Sequence, residues 1–210
     1  MSTILDVIMA VIAGSIVIVT IMITIIKINQ MNYNLQTMMN LQEDSNLVIT
    51  AIDEAFLEPV GNHLHNFETA ITHASAGQFS YNFRAVICGC KIDEPNWMTD
   101  CTHPLQSATI TTEQVGTGFR LIANSTWDPK RPGMPMVFQT TVYPLTTGDI
   151  FTYYDVDENV TNNLSDIRSV KFNFEFRARG WYDTEDEAEI RYPVAFWRYF
   201  KNIYIQNIPT

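Results

Sequence analysis

Nothing constrains this chain of 210 residues more than its start. The stretch ILDVIMAVIAGSIVIVTIMITII, residues 4–26, carries one charge, Asp6, and from residue 7 to residue 26 it carries none. At ~1.5 Å per residue, twenty helical residues reach ~30 Å, the thickness of a bilayer's hydrocarbon core. A secretory signal has a basic leading region, a shorter apolar run and small residues at a cleavage site. No Lys or Arg precedes this run, so the expectation is a membrane-spanning helix over residues 4–26. Lys27 follows it and the next Lys or Arg is Arg84, too little flanking charge to set the orientation in a membrane.

The helix is not expected to end at the membrane surface. Between Lys27 and Glu58 there is no Gly or Pro, and Ile28, Met31, Leu35 and Met38, then Val48, Ile52 and Ala55, recur in steps of three and four. A polar stretch from Gln42 to Ser45 interrupts the pattern. One helix from about Ile4 to Leu57 is therefore predicted, roughly 80 Å long, hydrophobic over residues 4–26 and amphipathic over 27–58. Pro59 and Gly61 are the stop signals.

From residue 59 to residue 210 the composition predicts a β-rich globular domain of ordinary size. Short runs rich in aromatic and β-branched residues, such as MVFQTTVYPL and SVKFNFEFRARGWY, are separated by turn formers such as WDPKRPGMP and PLTTGD. Val170, Phe172, Phe174 and Phe176 alternate with Lys171, Asn173, Glu175 and Arg177, as in a strand with one buried face. No second helix of comparable strength interrupts the runs, which makes the sheet mainly antiparallel and the fold class α+β.

Thirteen basic against twenty-three acidic residues give a formal net charge of −10, unsuited to a nucleic-acid partner. The three cysteines, Cys88, Cys90 and Cys101, lie close together. A zinc site would need His103 as a fourth ligand and a wider spacing than Cys88 to Cys90 offers. In an exported domain a disulfide from Cys90 to Cys101 is the expectation, with Cys88 a buried small hydrophobe; three free thiols are the remaining alternative.

An acid near the chain start, an apolar helix of about twenty residues, its unbroken amphipathic continuation and a C-terminal β-domain together resemble type IV pilins and the minor-pilin-like pseudopilins of type II secretion. Those proteins carry Glu at the fifth mature position; counted from Ser2, STILD places Asp6 fifth. The resemblance implies cleavage of a leader before Met1 or Ser2 and a stay in the inner membrane before assembly. Polymerisation then packs the helices in the core of an extracellular filament, as a homopolymer or mixed with related subunits. It also implies that Asp6 meets the N-terminal amine of a neighbouring subunit, since a lone carboxylate in an apolar bundle is costly and a paired one tolerable. The competing reading of Asp6 is a helix-dipole or headgroup-layer acid. Gly14 is the intrinsic weak point of the apolar run and a place where helices can approach closely. Met22, Met31, Met38 and Met39 suit helix-to-helix packing.

Other features carry less. Asp155, Asp157 and Asn159 in DVDEN imitate a calcium loop, but Val160 stands where such a loop needs Gly, so a solvated acidic loop is expected. DTEDEAE, residues 183–189, is expected to be a solvated hairpin tip. Asn124, Asn159 and Asn163 head N-glycosylation patterns. His63 and His65 sit just past the helix stop, where capping residues are routine. No nucleophile elbow, phosphate-binding Gly loop or HExxH occurs, and neither catalysis nor a cofactor is expected. Two functions of different class remain: a structural subunit polymerising through its helix, and a single-pass anchored ectodomain that binds a partner or ligand.

Overall fold

The computed structural model describes residues 2–62, 64, 68–85, 104–128, 134–145, 149–181, 189–201 and 203, with the side chain of Ser2 excepted. A single helix, α1 (Ser2–Ile52), runs into a π-helical turn at Asp53–Leu57. The predicted continuity and end both hold. Val60 amide donates to the Leu57 carbonyl, and Gly61, at φ +69°, turns its own amide to the Asn82 carbonyl on the sheet. The left-handed conformation there is the one that glycine adopts without steric cost.

Eight strands follow: β1 (Ile71–Ser75), β2 (Gln78–Arg84), β3 (Leu105–Val115), β4 (Gly118–Ser125), β5 (Met136–Pro144), β6 (Phe151–Tyr154), β7 (Ser169–Arg179) and β8 (Glu189–Tyr199). Every pairing between them is antiparallel. β1 to β5 form a meander; β8 then takes one edge of β7 along its whole length, so β5 and β6 share the other edge end to end. The sheet curls until β6 returns to the β1–β2 turn. There Phe151 amide donates to the Ala76 carbonyl, and the Tyr153 hydroxyl lies 2.9 and 3.0 Å from the carbonyls of Ser75 and Gln78. Phe79, Tyr81, Ile110 and Leu121 from one half of the curl meet Val170, Phe172 and Phe174 from the other in one core, with Phe79 stacked on Phe200 at 5.6 Å.

The helix enters this core only with its last turns. Leu41, Ser45, Val48, Ile52 and Phe56 are buried in steps of three and four, one helical stripe. Here the sequence expectation needs one correction: the polar stretch from Gln42 to Ser45 does not interrupt the stripe, because the small Ser45 is buried within it. Ile28, Met31, Leu35 and Met38, which share the helical period, are exposed. The expected inward row of β7 is buried, while on its outward row Glu175 is buried too, held by Arg177 at 2.6 Å. Pro193 lies in the middle of β8, which an edge strand tolerates because the missing N–H breaks no ladder bond.

Candidate assembly surface

Along α1, the apolar residues from Ile4 to Met39 are exposed. The Ser and Thr side chains within this stretch are self-satisfied. The hydroxyls of Ser15, Thr20, Thr24 and Thr37 each donate to the carbonyl four residues earlier, at 2.8, 2.8, 2.8 and 2.9 Å, a local bond open to short hydroxyl side chains. Asp6 differs: its carboxylate is exposed and has no hydrogen-bond or ion-pair partner among the described residues. The helix Thr3–Leu57 is long and apolar enough to cross a membrane, and its length, at ~1.5 Å per residue, is more than twice what a bilayer core needs.

The β7–β8 hairpin lies lengthwise along the second half of this helix. At one end Arg198 on β8 pairs with Asp53 at 2.9 Å. At the other, Ile190 meets the Lys27 to Met38 segment, and Trp181 clamps it: its backbone amide donates to Asn34 Oδ1 at 3.0 Å and its ring packs edge-on to Tyr33 at 5.6 Å. Eight strand residues at ~3.3 Å match eighteen helix residues at ~1.5 Å, about 26 Å against about 27 Å. The sequence offered no signal for Asn34, Tyr33, Trp181, Asp53 or Arg198, because each contact joins residues more than a hundred positions apart.

Two grooves flank the helix. One, of about 550 Å³, is lined by Lys27, Gln30, Met31, Asn34, Leu35 and Met38 with Ile190 from β8. The other, of about 920 Å³, lies on the side of the helix away from the sheet, and its lining includes Met39, Glu43, Asn46, Leu47, Thr50 and Glu54.

The remaining sequence candidates separate. A Cβ on Gly14 would meet nothing within 4 Å, so within one subunit no close approach uses it. In the 155–159 loop Asp155 does not point its oxygens at a shared centre: Oδ1 accepts the backbone amides of Asp157 and Asn159, both at 2.9 Å, and the Asn159 amide group reaches Oδ2 at 3.4 Å. These bonds, led by the Asn159 amide, hold the Asp155 carboxyl below its usual range. Among the described residues no group of three His, Cys, Asp or Glu converges as a metal site would require. Asn124, Asn159 and Asn163 are all exposed, Asn163 donating to Asp166 at 2.8 Å. Cys88, Cys90, Cys101, His63, His65, His103 and the 183–188 part of the acidic run lie outside the described residues. Glu189, at the end of that run, begins β8 and pairs with Arg191 at 2.9 Å.

Searches against protein families, curated proteins and solved structures found no match for this chain. The established description is therefore an α+β chain with a long apolar N-terminal helix, a candidate membrane span, and an antiparallel β-domain seated on the helix's last turns.

Proposed function

We propose that this chain is the structural subunit of a pilus-like filament, held in a membrane by α1 and then polymerised through it. The observation that carries the reading is the exposed apolar segment beyond the membrane span. Residues 7–26 account for a bilayer, yet Ile28, Met31, Leu35, Met38 and Met39 are also uncovered by the β-domain. Fully burying such a side chain is worth ~1.5–3 kcal/mol, so covering the half of each that remains exposed yields about 1 kcal/mol per residue. A bundle of neighbouring helices supplies that cover, and an isolated anchor leaves the segment in water. Asp6 takes its counter-ion from a neighbouring copy, the N-terminal amine in the pilin-like arrangement, and thereby sets axial register. The β-domain forms the outer wall; the role is structural, without catalytic chemistry.

Electron microscopy of material sheared from cells, with mass spectrometry of what is seen, tests this. Thin filaments containing the chain are expected, absent for Asp6→Ala and kept for Asp6→Glu, while the β-domain of both variants stays folded by circular dichroism. Discrete membrane particles of the wild-type chain would replace this reading with the anchored ectodomain, and normal filaments from Asp6→Ala would refute the register role.

A further inference from the structure

Lys27 is the one Lys or Arg in the first 83 residues. It is exposed at the mouth of the groove that ends under the β7–β8 hairpin, and no ion-pair partner approaches it among the described residues. Glu43 lines the larger groove behind the helix, likewise exposed and without an ion-pair partner. Sixteen positions separate the two, ~24 Å along the axis and a net turn of about 160°. They therefore face opposite ways, a cation in front and an anion behind.

We propose that in the filament Lys27 of one subunit pairs with Glu43 of a second copy of this chain, displaced ~24 Å along the helix axis. The inference rests on the filament reading and adds a second contact to it. Three observations point to a copy of the same chain and to this displacement. The first is charge: Lys27 lies at the end of an apolar run, where an unpaired ammonium inside a helix bundle is costly. The other two are cover and direction. A shift of sixteen residues sets Met31 and Leu35, which line the groove beside Lys27, level with Leu47 and Ala51 in the groove beside Glu43 of the neighbour, and keeps the uncharged run 7–26 level with residues 23–42, which carry no charge besides Lys27. Pairing Lys27 with Glu54 instead would shift by twenty-seven residues and lay the apolar run against Glu43, Asp44 and Asp53. Finally, a contact between the front of one copy and the back of the next is heterologous and leaves a free face at each end, so it propagates into an open helical array. The neighbour that meets Asp6 is a different one, because Asp6 lies only ~6 Å of helix from Ser2.

The test is a charge swap read in whole filaments. Lys27→Glu and Glu43→Lys are each expected to lower filament yield by about tenfold or more, since one such contact recurs at every subunit, and the double variant to restore it to near wild-type. Zero-length carbodiimide crosslinking of wild-type filaments supplies a readout independent of membrane insertion. It should yield a Lys27–Glu43 amide, which no single helix can form across ~24 Å. Wild-type filaments in which that crosslink is missing, or single variants that assemble normally, overturn the pairing and leave the filament reading standing. A wild-type chain that forms no filaments overturns both.

Discussion

Phe56 is the side chain through which the division of the helix is best tested. It sits on the π-helical turn, 1% exposed, in the cluster that joins Ile52, Leu57 and Val60 to the sheet. Truncation to alanine removes the ring's transfer energy and leaves a cavity that a curled sheet on one side and a helix on the other cannot readily close, a combination that costs ~3–5 kcal/mol for Phe→Ala. In a domain of this size each kcal/mol moves the melting temperature by about 2–4 °C, so a fall of roughly 6–20 °C is expected. Met31, on the same helix but 63% exposed, is the control: Met31→Ala should leave the melting temperature within ~2 °C, as surface substitutions do, while lowering filament yield. The measurement is thermal unfolding of the full chain in detergent micelles, followed by near-ultraviolet circular dichroism. If Phe56→Ala melts with the wild type, the last turns of α1 are not part of the domain's core. If Met31→Ala lowers the melting temperature as far as Phe56→Ala, the segment assigned to neighbouring copies is covered within the subunit, and the argument for assembly fails.

Three further outcomes follow from the β-domain. A Cβ on Gly118 would lie 2.8 Å from Tyr143 Cε1, and that ring stacks on the Arg177 guanidinium at 4.5 Å; Gly118→Ala should therefore cost ~1–3 kcal/mol by overpacking, read from denaturant unfolding. Burial holds the phenols of Tyr81 and Tyr153 well above their ordinary value of 10.0. Their contribution is whole below that pH and is lost as the pH rises past it, because only the unfolded chain ionises, so alkaline titration should show two tyrosines absorbing as phenolates only on unfolding. Asp155, held low by the amides it accepts, contributes above the ordinary carboxylate range and stops contributing as the pH falls through its folded value. Amide exchange at Asp157 and Asn159 should quicken there, and unchanged exchange would contradict the loop's assigned cause.

What the sequence made legible is what depends on local pattern. The absence of Gly and Pro after Lys27 predicted one helix to Leu57, and alternation placed Val170, Phe172, Phe174 and Phe176 on one face. It failed where cover is decided by distant chain. Periodicity cannot say which apolar stripe the domain reaches, and the hairpin register lets β8 span only from the Lys27 to Met38 segment to Asp53, leaving Met31 and Leu35 open and drawing Ser45 in. Glu175 reads as an outward strand residue because its two arginines, Arg177 and Arg191, come from two strands. DVDEN resembles a cation loop because acids at alternate positions serve that purpose, yet the same spacing lets Asp155 accept its own loop's amides, which needs no ion. The smaller groove was not legible, since it depends on where Ile190 of the hairpin lies against the helix.

Asp6 and Lys27 are the two charged side chains in the first 42 residues, and they differ in sign and lie ~32 Å apart along the helix. That separation matches a bilayer's hydrocarbon core, so in a membrane both charges reach the headgroup layers and neither is desolvated. Leaving the membrane removes both refuges at once. The hydroxyls of Ser15, Thr20 and Thr24 need no substitute, because their bonds are made within the helix. The two ions do, and a second helix that covers the apolar stretch without offering counter-charges would bury them unpaired, at several kcal/mol each. Register in the proposed filament then follows from energetics: among the axial displacements that cover apolar residues 28–39, those that also answer Asp6 and Lys27 are favoured over all others.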